Sequence, residues 1–144
     1  MALERTFAMI KPDAVKNGHL GAILALVEKS GFRIVALKTR HISKPEAEAF
    51  YAIHRERPFF GGLITFITEA PSVLAVLERD DAIAKWRELM GATNPSNAAE
   101  GTIRKQFARN IERNAVHGSD ASETAALEIP FFFSAAELIA WNGI

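Results

Sequence analysis

The hydrophobic residues along the chain follow two periodicities, and their order predicts strands that alternate with helices. Strands are indicated where apolar and β-branched residues form short runs between turn signals. The predicted strands cover residues 5–10, 32–42 and 72–78, with a last short strand around His117. The first strand ends at Lys11-Pro12-Asp13, a segment typical of a turn.

Helices are indicated where apolar residues recur every three or four positions. The segment 60–70 has a strand-like composition, but its apolar residues follow the helical pattern and favour a helix. Ser43 and Glu46 have the spacing of a capping box, and Asp80 or Asp81 is placed to cap a later helix. The predicted helices begin near residues 20, 43, 60, 81, 102 and 122, and Pro130 is predicted to end the last one.

This order of elements predicts an α/β (α+β) fold, a two-layer sandwich of four strands and their helices. The chain of 144 residues has the size of one domain, which we expect to span residues 1–144. A dinucleotide-binding fold and a P-loop kinase are both excluded, because the chain has neither a Gly-rich first turn nor a GxxxxGK[ST] segment.

Composition and charge exclude further classes of function. The 17 basic and 17 acidic residues cancel, so no net charge attracts nucleic acid or an anionic membrane. The absence of cysteine excludes disulfides, thiolate metal sites and cysteine nucleophiles. The chain shows no signal-peptide pattern and no apolar run of membrane-spanning length, so we expect a cytoplasmic protein.

The segment Asn114-Ala115-Val116-His117-Gly118-Ser119-Asp120 is the strongest candidate for chemistry. A strand would fix His117, Gly118 would remove bulk beside it, and the next helix N-terminus would favour an anion. A neutral imidazole is nucleophilic near physiological pH and can attack phosphorus directly. From this segment alone, a histidine that caps or packs in a turn is the alternative.

Several polar residues elsewhere are individually ambiguous. Lys11 follows the first strand and could be a solvated surface lysine. Tyr51 and His54 are three positions apart on one predicted helix face and could be a core tyrosine and a surface histidine. The adjacent Phe59 and Phe60 could be a core pair, as two neighbouring phenylalanines usually are. Phe59 falls outside the apolar stripe that includes Phe60, however, and an exposed ring there could stack on a base.

Two arginines and a threonine complete this set. Arg87 lies near a helix C-terminus, where a cation is favourable in any case, and Arg104 could belong to a solvated face. Thr93 lies in a predicted turn and need have no other role. No spacing among the candidates matches a zinc site, whereas their combination of cations, hydroxyl and aromatic ring fits a ligand that carries phosphate.

Five blocks of sequence, in order along the chain, resemble the nucleoside diphosphate kinases. The resemblance extends from Glu4 to about Phe133, and five blocks in order are far more specific than any one of them. The blocks are Glu4-Arg5-Thr6-Phe7 leading to Lys11-Pro12-Asp13-Ala14-Val15, Arg57-Pro58-Phe59-Phe60, Gly91-Ala92-Thr93-Asn94-Pro95, Gly101-Thr102-Ile103-Arg104 and residues 114–120.

The resemblance implies a ferredoxin-like two-layer sandwich with a four-stranded antiparallel sheet. It implies a homo-oligomer, a tetramer or hexamer built from dimers, that binds neither membrane nor specific nucleic acid. The implied reaction moves the γ-phosphate of a nucleoside triphosphate, typically ATP, to a nucleoside diphosphate through a phosphohistidine at His117, with low base specificity. Glu128 would accept a hydrogen bond from the other ring nitrogen, and Ser119 would assist through its hydroxyl.

The resemblance assigns the remaining polar residues to the nucleotide. Tyr51 would lie beside the reacting group, and Phe59 would stack on the base. Lys11 and Asn114 would meet the sugar hydroxyls. Mg²⁺ would bridge phosphate oxygens and need little direct protein ligation. The phosphates themselves would be bound by Arg87, Arg104, Thr93 and His54.

Three features depart from the pattern of the family. Ala121 stands where the family often has serine, which would weaken a helix cap. Pro130 follows Glu128 closely, so Glu128 is predicted to lie in the last turn of its helix. Residues 134–144 match least well, and they leave the choice between tetramer and hexamer open.

Other classes of function share parts of this set. A phosphohistidine carrier would need His117 but not Phe59, Lys11 or Asn114. A module that binds single-stranded nucleic acid would use Phe59, but the zero net charge argues against it. A catalytically inactive structural subunit is disfavoured because every expected polar residue is present.

Overall fold

The computed structural model describes residues 3–141, in which four strands form one antiparallel sheet. The strand order is β2-β3-β1-β4, and every neighbouring pair is antiparallel. Helices connect β1 to β2 and β3 to β4, which confirms the predicted ferredoxin-like topology. The strands are β1 Leu3–Ile10, β2 Arg33–Arg40, β3 Ser72–Asp80 and β4 Val116–Gly118.

Seven α-helices lie between and after these strands in the described part of the chain. None of them is long and apolar enough to cross a membrane. Single turns of 3₁₀ helix occur at Ala52–His54, Pro95–Asn97 and Ala135–Glu137. The α-helices are α1 Pro12–Lys16, α2 Leu20–Lys29, α3 Lys44–Phe50, α4 Phe60–Thr68, α5 Ala82–Met90, α6 Ile103–Phe107 and α7 Ser122–Phe132.

The sheet is buried on both faces. Side chains alternate along its central strands, and apolar residues point to each face in turn. On β1, Ala8 and Ile10 face one core and Phe7 and Met9 face the other. Residues of α2 and α5 cover the first face, as expected for the crossover helices. Helices α3, α4 and α7 cover the second face. The sheet therefore has helices on both faces, one layer more than the predicted two-layer sandwich.

The predicted capping box at the start of α3 is confirmed. The Ser43 hydroxyl accepts the Glu46 N–H at 3.3 Å, and the Glu46 carboxylate accepts the Ser43 N–H at 3.0 Å. The predicted cap of α5 is wrong: Asp81 occupies the N-cap position but makes no side-chain capping bond. Instead, Glu4 on the neighbouring strand β1 accepts the Ile83 N–H at 2.9 Å.

The prediction that Pro130 ends the last helix is also wrong. Helix α7 continues through Pro130 to Phe132, so Glu128 does not lie in its last turn. Proline removes one N–H from the ladder, but the carbonyl it leaves unpaired belongs to Ala126, an exposed residue that water can solvate. Burial of Phe132 then holds the final turn, with its ring stacked on Phe7 at 5.7 Å between centroids.

Candidate active site

His117 lies on β4, the short strand at one edge of the sheet. It pairs with Met9 of the central strand β1, and its carbonyl accepts the Trp86 indole N–H at 3.3 Å. The next residue has no room for a side chain: a Cβ at Gly118 would lie 2.8 Å from Met90 Cε and closer still to the Trp86 ring. Glycine therefore lets α5 pack directly against the strand that carries the histidine.

A hydrogen-bonded triad fixes the imidazole of His117. Its Nε2 atom lies 3.3 and 3.2 Å from the two carboxylate oxygens of Glu128, and the Ser119 hydroxyl donates to Glu128 Oε1 at 2.7 Å. Because a carboxylate only accepts hydrogen bonds, Nε2 carries the proton and Nδ1 carries the lone pair. Nδ1 has no hydrogen-bond partner within residues 3–141, and the His117 side chain is 21 % exposed.

Aromatic rings surround the imidazole on its other sides. The rings of Phe7, Phe50 and Tyr51 have centroids 6.0, 5.7 and 6.1 Å from that of His117. Burial, reinforced by the charge of Glu128, raises the pKa of the Tyr51 phenol, which therefore stays protonated. The prediction that Tyr51 and His54 share one helix face is wrong, because α3 ends at Phe50 and His54 lies in the following 3₁₀ turn.

Lys11 is not a solvated surface lysine. Its side chain is buried, with the residue only 8 % exposed, and its ammonium donates to Asn114 Oδ1 at 2.9 Å. Burial and the nearby positive charge of Arg104 lower the pKa of Lys11 to about 8, while Asp13 acts in the opposite direction. Lys11 and Asn114, which the resemblance assigns to the same sugar, are therefore in direct contact.

The two predicted phosphate-binding arginines have different environments. Arg104 is buried rather than part of a solvated face, and it donates to the carbonyls of Gly91, Asn114 and Val116. Burial, and then repulsion from Arg87, lower the pKa of Arg104 to about 10, so it remains a cation at neutral pH. Arg87 is exposed, and it pairs with the exposed carboxylate of Asp120 at 2.8 Å.

A pocket of about 370 Å³ opens beside Lys11. Phe59, which is 52 % exposed, lies on its wall, as expected for a ring left outside the helical stripe. The His54 ring lies between Phe59 and Tyr51, with centroids 5.5 and 6.5 Å away. The pocket is lined by Lys11, Phe59, Leu63, Thr93, Ile111 and Glu112.

Three of these pocket residues, Leu63, Ile111 and Glu112, were not identified from the sequence. Ile111 carried the clearest signal, an apolar side chain within the polar segment 109–114. It is 61 % exposed and shares the pocket with Phe59. An exposed isoleucine and an exposed phenylalanine on one pocket can contact a flat ligand together.

Two carboxylates of the site already have partners. Glu128 is held by His117 and Ser119, and Asp120 is held by Arg87. No group of three or more histidine, aspartate or glutamate side chains within residues 3–141 could hold a metal ion. A metal ion bound here would therefore take most of its ligands from a bound molecule rather than from the protein.

Comparison with known proteins extends these observations. The family model described as nucleoside diphosphate kinase matches residues 4–138. A nucleoside diphosphate kinase from Geobacter sulfurreducens is 59 % identical over 137 residues, which cover 95 % of this chain and 100 % of the relative. The corresponding enzyme from Trichlorobacter lovleyi is 56 % identical, with 95 % of this chain and 99 % of the relative covered.

Solved structures resemble the whole chain as well. A crystal form of the Aquifex aeolicus nucleoside diphosphate kinase superposes with a TM-score of 0.94 at 45 % identity, covering 96 % of this chain and 100 % of that one. A halophilic nucleoside diphosphate kinase from Halobacterium salinarum, solved in complex with CDP, also gives a TM-score of 0.94. Its identity is 40 %, and the alignment covers 98 % of this chain and 94 % of that one.

Proposed function

Because this chain belongs to the nucleoside diphosphate kinase family, we propose that it moves the γ-phosphate of a nucleoside triphosphate to a nucleoside diphosphate through His117. The observation that carries the proposal is the contact of Glu128 with Nε2 of His117. It leaves Nδ1 as the nucleophile. The half-buried imidazole also borders solvent, where a phosphate can approach it.

In the first half-reaction, Nδ1 attacks the γ-phosphorus of the donor. A P–N bond forms as the bond to the bridging oxygen breaks, and the nucleoside diphosphate leaves with that electron pair. The imidazole gains positive charge in this step, and the adjacent carboxylate of Glu128 stabilises it while Ser119 holds the carboxylate in place. The second half-reaction is the reverse, with a different diphosphate as acceptor.

Positive charge and hydrogen-bond donors stabilise the phosphoryl group during transfer. The charge in such a reaction spreads over the equatorial oxygens, so catalysis depends chiefly on positioning and electrostatics. Arg104 offers a fixed cation, because three backbone carbonyls already hold it. Arg87, Thr93 and His54 would bind the other phosphates, and the protonated Tyr51 would lie beside the reacting group.

The pocket at Phe59 would receive the nucleoside. We assign the base to the space between Phe59 and Ile111, and the sugar hydroxyls to Lys11 and Asn114, which already contact each other. Every base offers a flat face, so recognition by stacking predicts low base specificity. The Halobacterium relative was solved with CDP, which accords with a nucleotide at this pocket. A phosphohistidine carrier would have no use for such a pocket.

Mg²⁺ accompanies the nucleotide in this proposal. When bound with the nucleotide, the ion would neutralise part of the phosphate charge. The donor set fits that role, because Glu128 and Asp120 are paired and no protein cluster within residues 3–141 competes for the ion.

We further propose a homo-oligomer in the cytoplasm, where nucleoside triphosphates are consumed. Strand β2 is the other edge of the sheet, and the exposed Leu37 on it would contact a second copy. The C-terminal segment covers part of this edge, because the Ile139 N–H and the Trp141 indole donate to the carbonyls of Val35 and Ile34. Light scattering coupled to size exclusion would distinguish a tetramer from a hexamer. A monomer at micromolar concentration would contradict this part of the proposal.

An intact-mass experiment tests the proposed activity. Wild-type protein and His117→Ala are each mixed with Mg-ATP and then chased with GDP, and His41→Ala serves as a matched histidine control. The wild type and His41→Ala should gain one acid-labile phosphate that the chase removes as GTP, whereas His117→Ala should gain none. GTP formation without an adduct on the wild type would mean direct transfer and another role for His117.

A further inference from the structure

The turn that leads into β4 has an unusual backbone. Ala115 has a φ of 72°, in the left-handed region that side chains other than glycine rarely adopt. The Val116 N–H donates to the Asn114 carbonyl at 2.9 Å, which closes a three-residue γ-turn around Ala115. This turn joins Asn114, proposed to bind the sugar, to His117, the proposed nucleophile. The backbone is therefore strained between two residues of the site.

Both peptide groups of Ala115 are held from the same neighbouring segment. The Asp13 carboxylate accepts the Ala115 N–H through Oδ2 at 3.0 Å, and the Lys11 N–H donates to the Ala115 carbonyl at 2.8 Å. The second contact extends the pairing of β1 with β4 by one residue. The first contact depends on a side chain, so it is the one that a substitution can remove.

Within residues 3–141 the Asp13 side chain makes one hydrogen bond, to the Ala115 N–H, and its charge also favours the ammonium form of Lys11. It is buried at 8 % exposure, and its other oxygen, Oδ1, has no hydrogen-bond partner in that part of the chain. Its one hydrogen bond therefore goes to the strained residue. A buried carboxylate with an unpaired oxygen is costly, and its retention here calls for a role.

Arg104 holds the same turn from its other side. Its guanidinium donates to the carbonyls of Asn114 and Val116, the residues on either side of Ala115. The Asn114 carbonyl and the Ala115 N–H belong to one peptide group, so Arg104 and Asp13 hold opposite ends of the same peptide plane. Arg104 also holds the next but one peptide through the Val116 carbonyl, whereas Asp13 alone accepts the Ala115 N–H.

We propose that Asp13 is a positioning residue for phosphoryl transfer, because its carboxylate holds the strained Ala115 turn that sets Asn114 and His117 relative to each other. The inference rests on the proposed function of His117. It predicts that a turn released from Asp13 relaxes toward negative φ and moves the imidazole away from its contact with Glu128.

The test combines Asp13→Ala with Ala115→Gly. Asp13→Ala should lower the maximum rate of phosphorylation by saturating Mg-ATP by at least tenfold in single-turnover experiments. Glycine adopts a positive φ without penalty, so Ala115→Gly should restore most of that rate in the Asp13→Ala background while changing the wild type little. Asp13→Asn keeps an oxygen that can accept the Ala115 N–H, and it should retain more activity than Asp13→Ala.

A matched control separates positioning from general stability. Asp81 is the other non-glycine residue in the described chain with a positive φ, and it lies at the start of α5. Asp81→Gly should raise the melting temperature of the Asp13→Ala variant but should not restore its phosphorylation rate. All rates are compared at a temperature at which circular dichroism shows every variant folded.

Nitrogen NMR of the His117 ring gives a readout that does not depend on activity. The wild type should show one fixed tautomer with the proton on Nε2, Asp13→Ala should show tautomer averaging, and Ala115→Gly should restore the fixed form. A folded Asp13→Ala variant with the wild-type rate and tautomer would overturn the inference, as would equal rescue by Asp81→Gly. If the wild type itself forms no phosphohistidine, the proposed function fails, and the ring spectra alone then decide whether Asp13 holds the turn.

Discussion

The two ends of the proposed site differ in how completely the protein has built them. At the closed end, His117, Ser119 and Glu128 are joined by hydrogen bonds, and the ring of the histidine is enclosed by aromatic side chains. At the open end, Phe59 and Ile111 are exposed on a pocket. The proposed nucleophile is thus held before any ligand arrives, whereas the proposed nucleotide-binding surfaces are left to solvent.

This difference matches the demands of the proposed reaction. The chemistry at phosphorus is the same for every nucleotide, so the closed end can be rigid and its geometry can be set in advance. The nucleosides differ in size and in their hydrogen-bonding groups, so an open apolar pocket can accept all of them. Substitutions at the closed end should therefore affect the maximum rate. Substitutions at the open end should affect the nucleotide concentration that gives half the maximum rate.

The largest effect should come from Glu128→Gln at the closed end. The amide keeps the shape of the side chain but cannot stabilise a cationic imidazole or impose the Nε2–H tautomer. We expect the maximum phosphorylation rate to fall by between about 10²- and 10⁴-fold. The ATP concentration that gives half the maximum rate should change little, because the lost interaction belongs to the transition state. Single-turnover mass spectrometry over a range of ATP concentrations measures both quantities.

Glu123→Gln is the matched control for that substitution. Glu123 lies on the same helix and is exposed. Its replacement by glutamine is the same chemical change, but at a side chain that does not contact the histidine. Its phosphorylation rate should equal that of the wild type. If Glu128→Gln raised the half-saturating ATP concentration and left the maximum rate intact, the proposed division between the two ends would be wrong.

A smaller effect, of the opposite kind, should follow Phe59→Ala at the open end. Loss of one stacking ring costs about 1–3 kcal/mol, so we expect the half-saturating ATP concentration to rise by roughly 5- to 150-fold. The maximum rate should change little. ATP, GTP, CTP and UTP should be affected by similar factors, because the ring contacts a face that all bases share.

Ile111→Ala should also raise the half-saturating ATP concentration, since Ile111 lines the same pocket as Phe59. Ile53→Ala is the matched control: Ile53 is exposed but is not part of that pocket, and its removal should have no effect. A loss confined to one base after Phe59→Ala would contradict recognition by stacking.

Much of the closed end could be predicted from the sequence, because its residues are close together in the chain or belong to specific blocks. His117, Gly118 and Ser119 are adjacent, and the alternation of periodicities indicated the strand that carries His117 and the helix that carries Glu128. The sequence left two interpretations of Phe59, a core pair with Phe60 or an exposed ring outside the helical stripe, and the structure has the exposed ring.

Other features depend on contacts between distant segments, which periodicity does not reveal. The burial of Lys11 requires residue 114 to fold over it, and the hydrogen bond of Asp13 requires the strained turn at Ala115. The helix through Pro130 depends on the burial of Phe132 against β1. In each case tertiary packing outweighed the local preference of the residue.

Lys11 belongs to both ends, and the loss of activity caused by its deprotonation should be the smallest of these effects, beginning only as pH rises above neutral. It lines the open pocket, yet its ammonium is buried against Asn114. Its pKa is lowered to about 8, so the charge proposed to bind the nucleotide is present below that pH and is lost above it. We expect kcat/KM for ATP to fall as pH rises through about 8 in the wild type. In Lys11→Met it should be low and should not show this decline.

The lowered pKa of Lys11 should make activity fall with rising pH but make the folded state more stable. In the unfolded chain Lys11 titrates at its ordinary value of 10.5, so between about pH 8 and 10.5 the unfolded state binds more protons than the folded state. The unfolding free energy contributed by Lys11 therefore rises with pH across that window. Urea titrations of the wild type and Lys11→Met at several pH values should show the wild type gaining relative stability while its activity falls. Activity and relative stability that fell together would mean that a different group titrates, and that Lys11 does not link the two ends of the site.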